Sequence, residues 1–235
     1  MPHAEERQPD RGAAPETIDL GRMRYADALA IQRQRNQAVI DGDAGQAIYL
    51  VEHEPVITIS HRKTAAGHLL AAPALLEQLG IEVCETDRGG DITYHGPGQL
   101  VVYPILRLAD WRLNLSSYMR TLEQVVIDTL QRYGVEGVRD PSATGVWVPQ
   151  GDAPMAKVCA MGVRIRKNTT MHGLALNVTT DLNHFATIVP CGLAGRPVTS
   201  LAKLCNPQTP AMADVKATLV ATLLAALERA REGRN

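Results

Sequence analysis

Hydrophobic and polar positions alternate along this chain in two periods, and each period marks its elements. From Tyr25 to Val39 the sequence YADALAIQRQRNQAV puts Tyr25, Ala28, Leu29 and Gln32 on one helical face, with Gly42 and Gly45 to close the element. Period two then takes over: AIYLVE (Ala47 to Glu52) and VITIS (Val56 to Ser60) read as paired strands around His53-Glu54-Pro55. Pro73 to Leu79 reads as a short helix ended by Gly80, and Ile81 to Thr86 as a strand. In RGGDITYHGPGQL, from Arg88 to Leu100, the polar Asp91, Thr93 and His95 alternate with Ile92 and Tyr94. The apolar pair belongs on the core side. Pro97-Gly98 fits the centre of a tight turn and predicts a hairpin whose return strand runs from Gln99 to Leu106.

The strongest helical pattern spans Leu115 to Tyr133, with Leu122, Val126 and Leu130 at four-residue steps, Ser116 as its cap and Gly134 as its stop. Val146 to Val148, Val158 to Arg166 and Thr170 to Val178 read as strands, with QGDAP and KNTT as turns. Thr209 and Pro210 open a last helix in which Val215, Leu219, Leu223 and Leu227 recur every fourth residue. Helices interleaved with hairpins predict an α+β fold, a mixed and largely antiparallel sheet with helices packed on it. No internal repeat or Pro/Gly/Ser-rich linker divides the chain, so residues 17–235 are expected to form one domain behind a disordered extension, 1–16.

Composition narrows the partners. Hydrophobic residues make up 45% of the 235 and charged ones 21%, enough for a sizeable core, and the formal net charge of -1 argues against nucleic acid as the main partner. Local basic patches remain at Arg62-Lys63 and at Arg164, Arg166 and Lys167. Cysteines at 84, 159, 191 and 205 form none of the close pairs that bind zinc, so no metal is expected, and a reducing, cytoplasmic setting is. No apolar stretch is long enough to span a bilayer, and the N-terminal residues match neither a secretory signal nor a transit peptide.

The sequence holds no GxxxxGK[ST] phosphate loop, GxSxG elbow, HExxH or GxGxxG motif. The residues left to carry chemistry are Cys191, Lys157, His95 and His172. Cys191 sits in IVPCGLAGRPVTSL, a loop setting just before Thr199 and Ser200, either of which suits a helix start. Lys157 begins the apolar AKVCAMGV, where an unpaired ammonium has no place, so it either reaches solvent or faces an anion such as a thiolate. Gly89 and Gly90, bracketed by Arg88 and His95, allow a ligand to approach the backbone. Cys84 and Cys159 lie in apolar strands and read as packing residues, and His172 as a hydrogen-bonded sheet histidine.

From about Ile18 to Leu204, these segments resemble the lipoyl (octanoyl) transferase family, also called lipoate protein ligase B. The likeness rests on TDRGGDITYHGPGQLVVYPIL, GVWV, AKVCAMGVRI, HGLALNV and DLNHFATIVPCGL in order, with RGG-x-x-TYHGPGQL and PCG the most specific. The resemblance implies a fold shared with the catalytic domains of lipoate and biotin protein ligases. It implies Cys191 as acyl-thioester nucleophile, Lys157 as the lysine that lowers its pKa, and no cofactor. Three substrate-binding stretches follow: Arg88, Gly89, Gly90, Asp91, Ile92, Thr93, Tyr94 and His95; Ala160, Met161 and Gly162; Gly173, Leu174 and Ala175. The implied partners are octanoyl-acyl carrier protein as donor and, as acceptors, lipoyl domains of 2-oxoacid dehydrogenase complexes or the glycine cleavage H protein, with neither nucleic acid nor membrane. His95 and Thr93 are expected to position the acyl carbonyl. His61, where relatives often have glycine, Cys159 and Met161 in place of smaller residues, and the longer QGDAP turn depart from the pattern. Two rival functions share much of this: an ATP-dependent lipoate or biotin ligase, which has no need of Cys191, and a non-catalytic module that docks acidic carrier or lipoyl domains through Arg62, Lys63, Arg164 and Arg166.

Overall fold

The computed structural model describes residues 13–189 and 195–233. A seven-stranded sheet has the order β1 (Glu16–Met23), β2 (Ala47–His53), β6 (Gln99–Ile105), β10 (Thr169–Asn177), β9 (Ala153–Arg166), β8 (Ala143–Gln150), β7 (Val138–Asp140). All its neighbours are antiparallel except β1 with β2. A second sheet has the order β4 (Glu82–Thr86), β3 (Val56–Ser60), β5 (Ile92–His95), with β4 parallel and β5 antiparallel to β3. Five α-helices, α1 (Tyr25–Asp41), α2 (Pro73–Gln78), α3 (Leu115–Gln131), α4 (Leu201–Leu204) and α5 (Met212–Arg231), and three short 3-10 helices complete the described chain. The α+β expectation holds.

Alternation along the strands sends side chains to two cores. Ile48 and Leu50 of β2 join Leu100 and Val102 of β6 under α3 and α5, whereas Ala47, Tyr49 and Val51 join Val101, Tyr103 and Ile105 under α1. Every residue of β6 is buried, as its unbroken apolar run predicts for a strand covered on both faces. A third cluster, Ile57, Leu76, Ile81, Ile92, Tyr94, Phe185 and Ile188, fills the small sheet. Ile92 and Tyr94 are therefore on the core side, as their alternation requires.

Strand pairing departs from the local pattern twice. The turn at Pro97-Gly98 is present, with Gln99 N donating to Gly96 O at 3.1 Å and Gly98 at φ 79°, but β5 pairs with β3 while β6 pairs with β2 and β10. The turn hands the chain from one sheet to the other and makes no hairpin. Likewise β2 and β3, expected to pair with each other, lie in different sheets. Both predictions took sequence neighbours for spatial ones, and long-range pairing prevailed.

Smaller differences follow from local chemistry. Asn114, not Ser116, caps α3, through a capping box in which it accepts from Ser117 N and Ser117 Oγ accepts from Asn114 N, both at 2.9 Å. The last helix starts at Met212, two residues past Pro210. Strands β8 and β9 both run further than predicted, leaving only Gly151 and Asp152 between them, so Lys157 lies inside a fourteen-residue strand and not at its beginning. The strand at Glu16 is an element the pattern did not reveal.

Candidate active site

The two sheets meet at a cavity of about 330 Å³. The contact is made by backbone: Gly89 N donates to Val163 O at 2.9 Å, and a Cβ added to Gly162 would lie 2.4 Å from Gly89 O. Glycine at 162 is therefore what lets the Arg88 segment lie against β9. A Cβ at Gly173 would lie 2.2 Å from Val102 O, so that position is equally closed to a side chain.

Most of the residues predicted for the site line this cavity. Arg88, Gly90, Asp91, Ile92, Thr93 and His95 come from the β4–β5 segment, Lys157, Ala160, Met161 and Gly162 from β9, and Gly173, Leu174 and Ala175 from β10. Gly89 stands behind the wall as the sheet-to-sheet contact. Tyr94 faces away, its hydroxyl 2.7 Å from His184 Nδ1 and its ring edge-on to Phe185. Its place is the core of the small sheet, as period two demands of a residue between Thr93 and His95. Cys191 lies outside the described residues.

Lys157 is 6% exposed and its ammonium has specific company. Nζ donates to Thr144 O at 3.2 Å and lies 4.5 Å from the centroid of the Trp147 ring. The guanidinium of Arg196 stacks on the same indole at 3.8 Å and pairs with Asp140 at 2.5 Å. Register explains the arrangement, since Trp147 and Lys157 are direct neighbours across β8 and β9. The backbone of Lys157 in turn accepts from Thr199 N and donates to Pro197 O, both at 2.9 Å, which holds residues 197–199 along β9. On the other flank Val189 N donates to His68 O at 2.8 Å and Leu69 bridges Ile188. Ser200 then caps α4, as one of the two candidates for that start. Cys159, two residues from Lys157, is fully buried, and burial pushes its thiol up to about 12, so it stays neutral.

Two histidines, His95 and His172, also line the cavity. His95 is buried, stacked on Tyr25 at 6.2 Å with an interplanar angle of 4°, and burial holds its imidazole well below the usual range. His53 behind it bonds Tyr103 Oη at 2.7 Å, and burial lowers it to about 4. His172, expected as a hydrogen-bonded sheet residue, is one: Nε2 is 2.8 Å from Asp87 Oδ1. It also lines the cavity, at a φ of 57° that takes its N–H out of the ladder to Gln32 Oε1 at 2.9 Å. The His172 bond, followed by the charges of Arg164 and Arg33, holds the Asp87 carboxyl well below the ordinary range.

Tyr25, Tyr103, His53, Trp147 and the Ser142–Thr144 stretch are parts of the site that the sequence did not mark. Trp147 alone carried a signal: pairing β8 with β9 across a short turn brings it beside Lys157. Among the described residues no group of three or more His, Cys, Asp or Glu could hold a metal ion, and no helix is long and apolar enough to cross a membrane.

Known proteins fit this geometry. Residues 24–224 match the model of the lipoyl protein ligase A/B catalytic domain family. A protein named octanoyltransferase from Solibacter usitatus is 50% identical over 185 residues, covering 79% of this chain and 81% of that one. One of the same name from Chloroflexus aurantiacus is 45% identical over 205 residues, covering 87% and 90%. Among solved structures, a bipartite lipoate protein ligase from Thermoplasma acidophilum superposes with a TM-score of 0.71 at 16% identity, covering 92% of this chain and 85% of that one. A biotin protein ligase from Aquifex aeolicus reaches 0.52 at 11%, covering 94% and 72%. At those identities the two structures speak for the fold alone, while the family model and the sequence relatives, together with a cavity built from the predicted stretches, lead to one assignment: the chain belongs to the lipoyl protein ligase A/B catalytic domain family.

Proposed function

We propose that this acyltransferase moves an octanoyl group from the phosphopantetheine thioester of acyl carrier protein to a lysine of a lipoyl domain, through a thioester on Cys191. The observation that carries the reading is a buried ammonium, Lys157, in the wall of a cavity whose lining includes Gly90, Gly162, Gly173, Ala160 and Ala175, with residues 197–199 held along its strand. A cation there favours a thiolate, and the glycines and alanines in the lining leave room for an acyl chain. The relatives named octanoyltransferase supply the acyl group.

In the first half-reaction the Cys191 thiolate attacks the donor thioester carbonyl, a C–S bond forms, and the phosphopantetheine sulfur leaves with its electron pair and takes a proton. A free thiol has a pKa of about 8.5, so a neighbouring ammonium raises the reactive fraction at neutral pH. In the second half a lysine amine attacks the enzyme thioester, the amide forms and Cys191 is released. Amide formation from a thioester is downhill and needs no nucleotide. Backbone N–H groups of the glycine-rich segments serve the oxyanion. Arg62 and Arg88 at the cavity give an acidic donor or acceptor domain a complementary surface.

Mass spectrometry after mixing with octanoyl-acyl carrier protein tests the scheme. An octanoyl adduct on Cys191 is expected, lost in Cys191→Ser with the fold intact; full transfer by Cys191→Ser removes the covalent step. Lys157→Ala is expected to slow both halves, and an unchanged pH–rate profile in that variant counts against the role of Lys157.

A further inference from the structure

A chain of amide side chains runs from the backbone beside Lys157 to His95 and decides which nitrogen of that imidazole carries the proton. Asn177 Nδ2 donates to Thr199 O at 3.0 Å, a carbonyl that can only accept. Asn177 Oδ1 is therefore the acceptor for Gln99 Nε2 at 2.9 Å, and the second hydrogen of that amide goes to Tyr94 O at 3.3 Å. Gln99 Oε1 is left to accept, and its partner at 2.7 Å is His95 Nδ1. Each link has one permitted direction, so Nδ1 holds the proton.

Burial and the nearby His53 and Arg88 keep the ring neutral, which leaves a lone pair on Nε2. Among the described residues no donor reaches Nε2. Nor is it among the sealed, unpartnered atoms, which include His172 Nδ1 and Gln32 Nε2. His95 lines the same cavity as Lys157. A lone pair cannot donate to a carbonyl oxygen, so this tautomer suits His95 to a role other than positioning the acyl carbonyl. What Nε2 can take is an N–H.

The geometry points to His95 Nε2 as the acceptor of a hydrogen bond from the attacking lysine amine, which aims the nitrogen lone pair at the thioester carbonyl carbon. This rests on the acyl-enzyme reading above. As the C–N bond forms and the C–S bond breaks, the sulfur of Cys191 leaves with the electron pair and the amine proton ends on it. His95 keeps its Nδ1 proton throughout and returns unchanged. Its neutral state suits an acceptor that orients the amine and does not carry the proton away. Gln99 and Asn177 are positioning residues that hold the tautomer.

The two half-reactions separate the inference from its foundation. With octanoyl-acyl carrier protein as donor, His95→Phe is expected to slow formation of the Cys191 adduct several-fold less than it slows transfer from it. In a single turnover with a lipoyl domain, transfer from that adduct is expected to fall about tenfold, the loss of one oriented hydrogen bond. Gln99→Leu, which frees the ring to take either tautomer, is expected to slow transfer in the same selective way by less. Should His95→Phe not fold, the ratio of the two rates in Gln99→Leu decides. Equal slowing of both halves, or undiminished transfer, overturns the role of His95 while the acyl-enzyme stands. A wild-type protein that forms no adduct overturns both.

Discussion

If Cys191 and Lys157 act together as proposed, Trp147 is where the thiol can be tuned without touching either residue. Its indole carries Lys157 Nζ at 4.5 Å and the Arg196 guanidinium at 3.8 Å, in a site where Lys157 is almost wholly desolvated. A desolvated cation–π contact is worth about 2 kcal/mol, so Trp147→Leu removes a side-chain restraint of that size on the ammonium. An ammonium about 4 Å from a thiolate stabilises it by about 4 kcal/mol at an effective dielectric of about 20; at about 6 Å the figure is about 2.8. A shift of that size costs roughly 1.4 kcal/mol, which raises the thiol pKa by about one unit and cuts the thiolate present below that pKa about tenfold. The rate of Cys191 alkylation by iodoacetamide against pH reads the thiol pKa directly. Trp147→Leu is expected to move the midpoint up by about one unit and Trp147→Phe, which keeps a ring face, by less. Circular dichroism and a cooperative urea transition establish that each variant folds. A midpoint identical to wild type in a folded Trp147→Leu protein refutes the reasoning, because the ammonium would then be held, or the thiolate made, by something else.

Gly162→Ala drives a methyl group against Gly89 O, 2.4 Å from the Cβ position, so the Arg88 segment must move off β9; acyl-enzyme formation is expected to fall at least tenfold while the far-ultraviolet spectrum is retained. Glu123 is buried in α3, accepts from Arg120 at 2.9 Å and Arg139 at 3.1 Å, and takes Gly145 N at 3.3 Å, so Glu123→Ala is expected to cost about 2–3 kcal/mol in urea unfolding. The fold should weaken in mild acid. His53, lowered by burial to about 4, binds its proton later than the unfolded chain does at about 6.5, so its contribution is complete above the unfolded value and lost as the pH falls toward the folded one. That amounts to about 2 kcal/mol between pH 7 and 5, and a denaturation midpoint that is level or higher at pH 5 contradicts it.

The elements were legible in the sequence because each depends on residues close in the chain. The face of α1, the buried run of β6 and the four-residue steps of α3 and α5 are periodicities, and periodicity is local. Partners were not legible. Nothing between Tyr94 and Leu100 distinguishes a turn that closes a hairpin from one that passes the chain to another sheet, because the difference lies in β3, more than thirty residues earlier. The same holds for Tyr25 and Tyr103, whose places at the cavity depend on α1 crossing the sheet.

Lys157 is the instructive case. An ammonium in an apolar strand posed a choice between solvent and an anion; burial rules out solvent, and the adjacent strand adds an indole face and a carbonyl. Both fix the ammonium in the cavity wall, where its field reaches what enters. The glycines show the same logic from the other side. Gly162 and Gly173 are direct partners across β9 and β10, a pairing that weakens a sheet on propensity alone. Each instead lets a backbone carbonyl approach where a side chain would stand, Gly89 O at one and Val102 O at the other. The sheet gives up side-chain packing at that point, and what it gains is a stretch of cavity wall made of backbone, closed to any side chain by the two carbonyls.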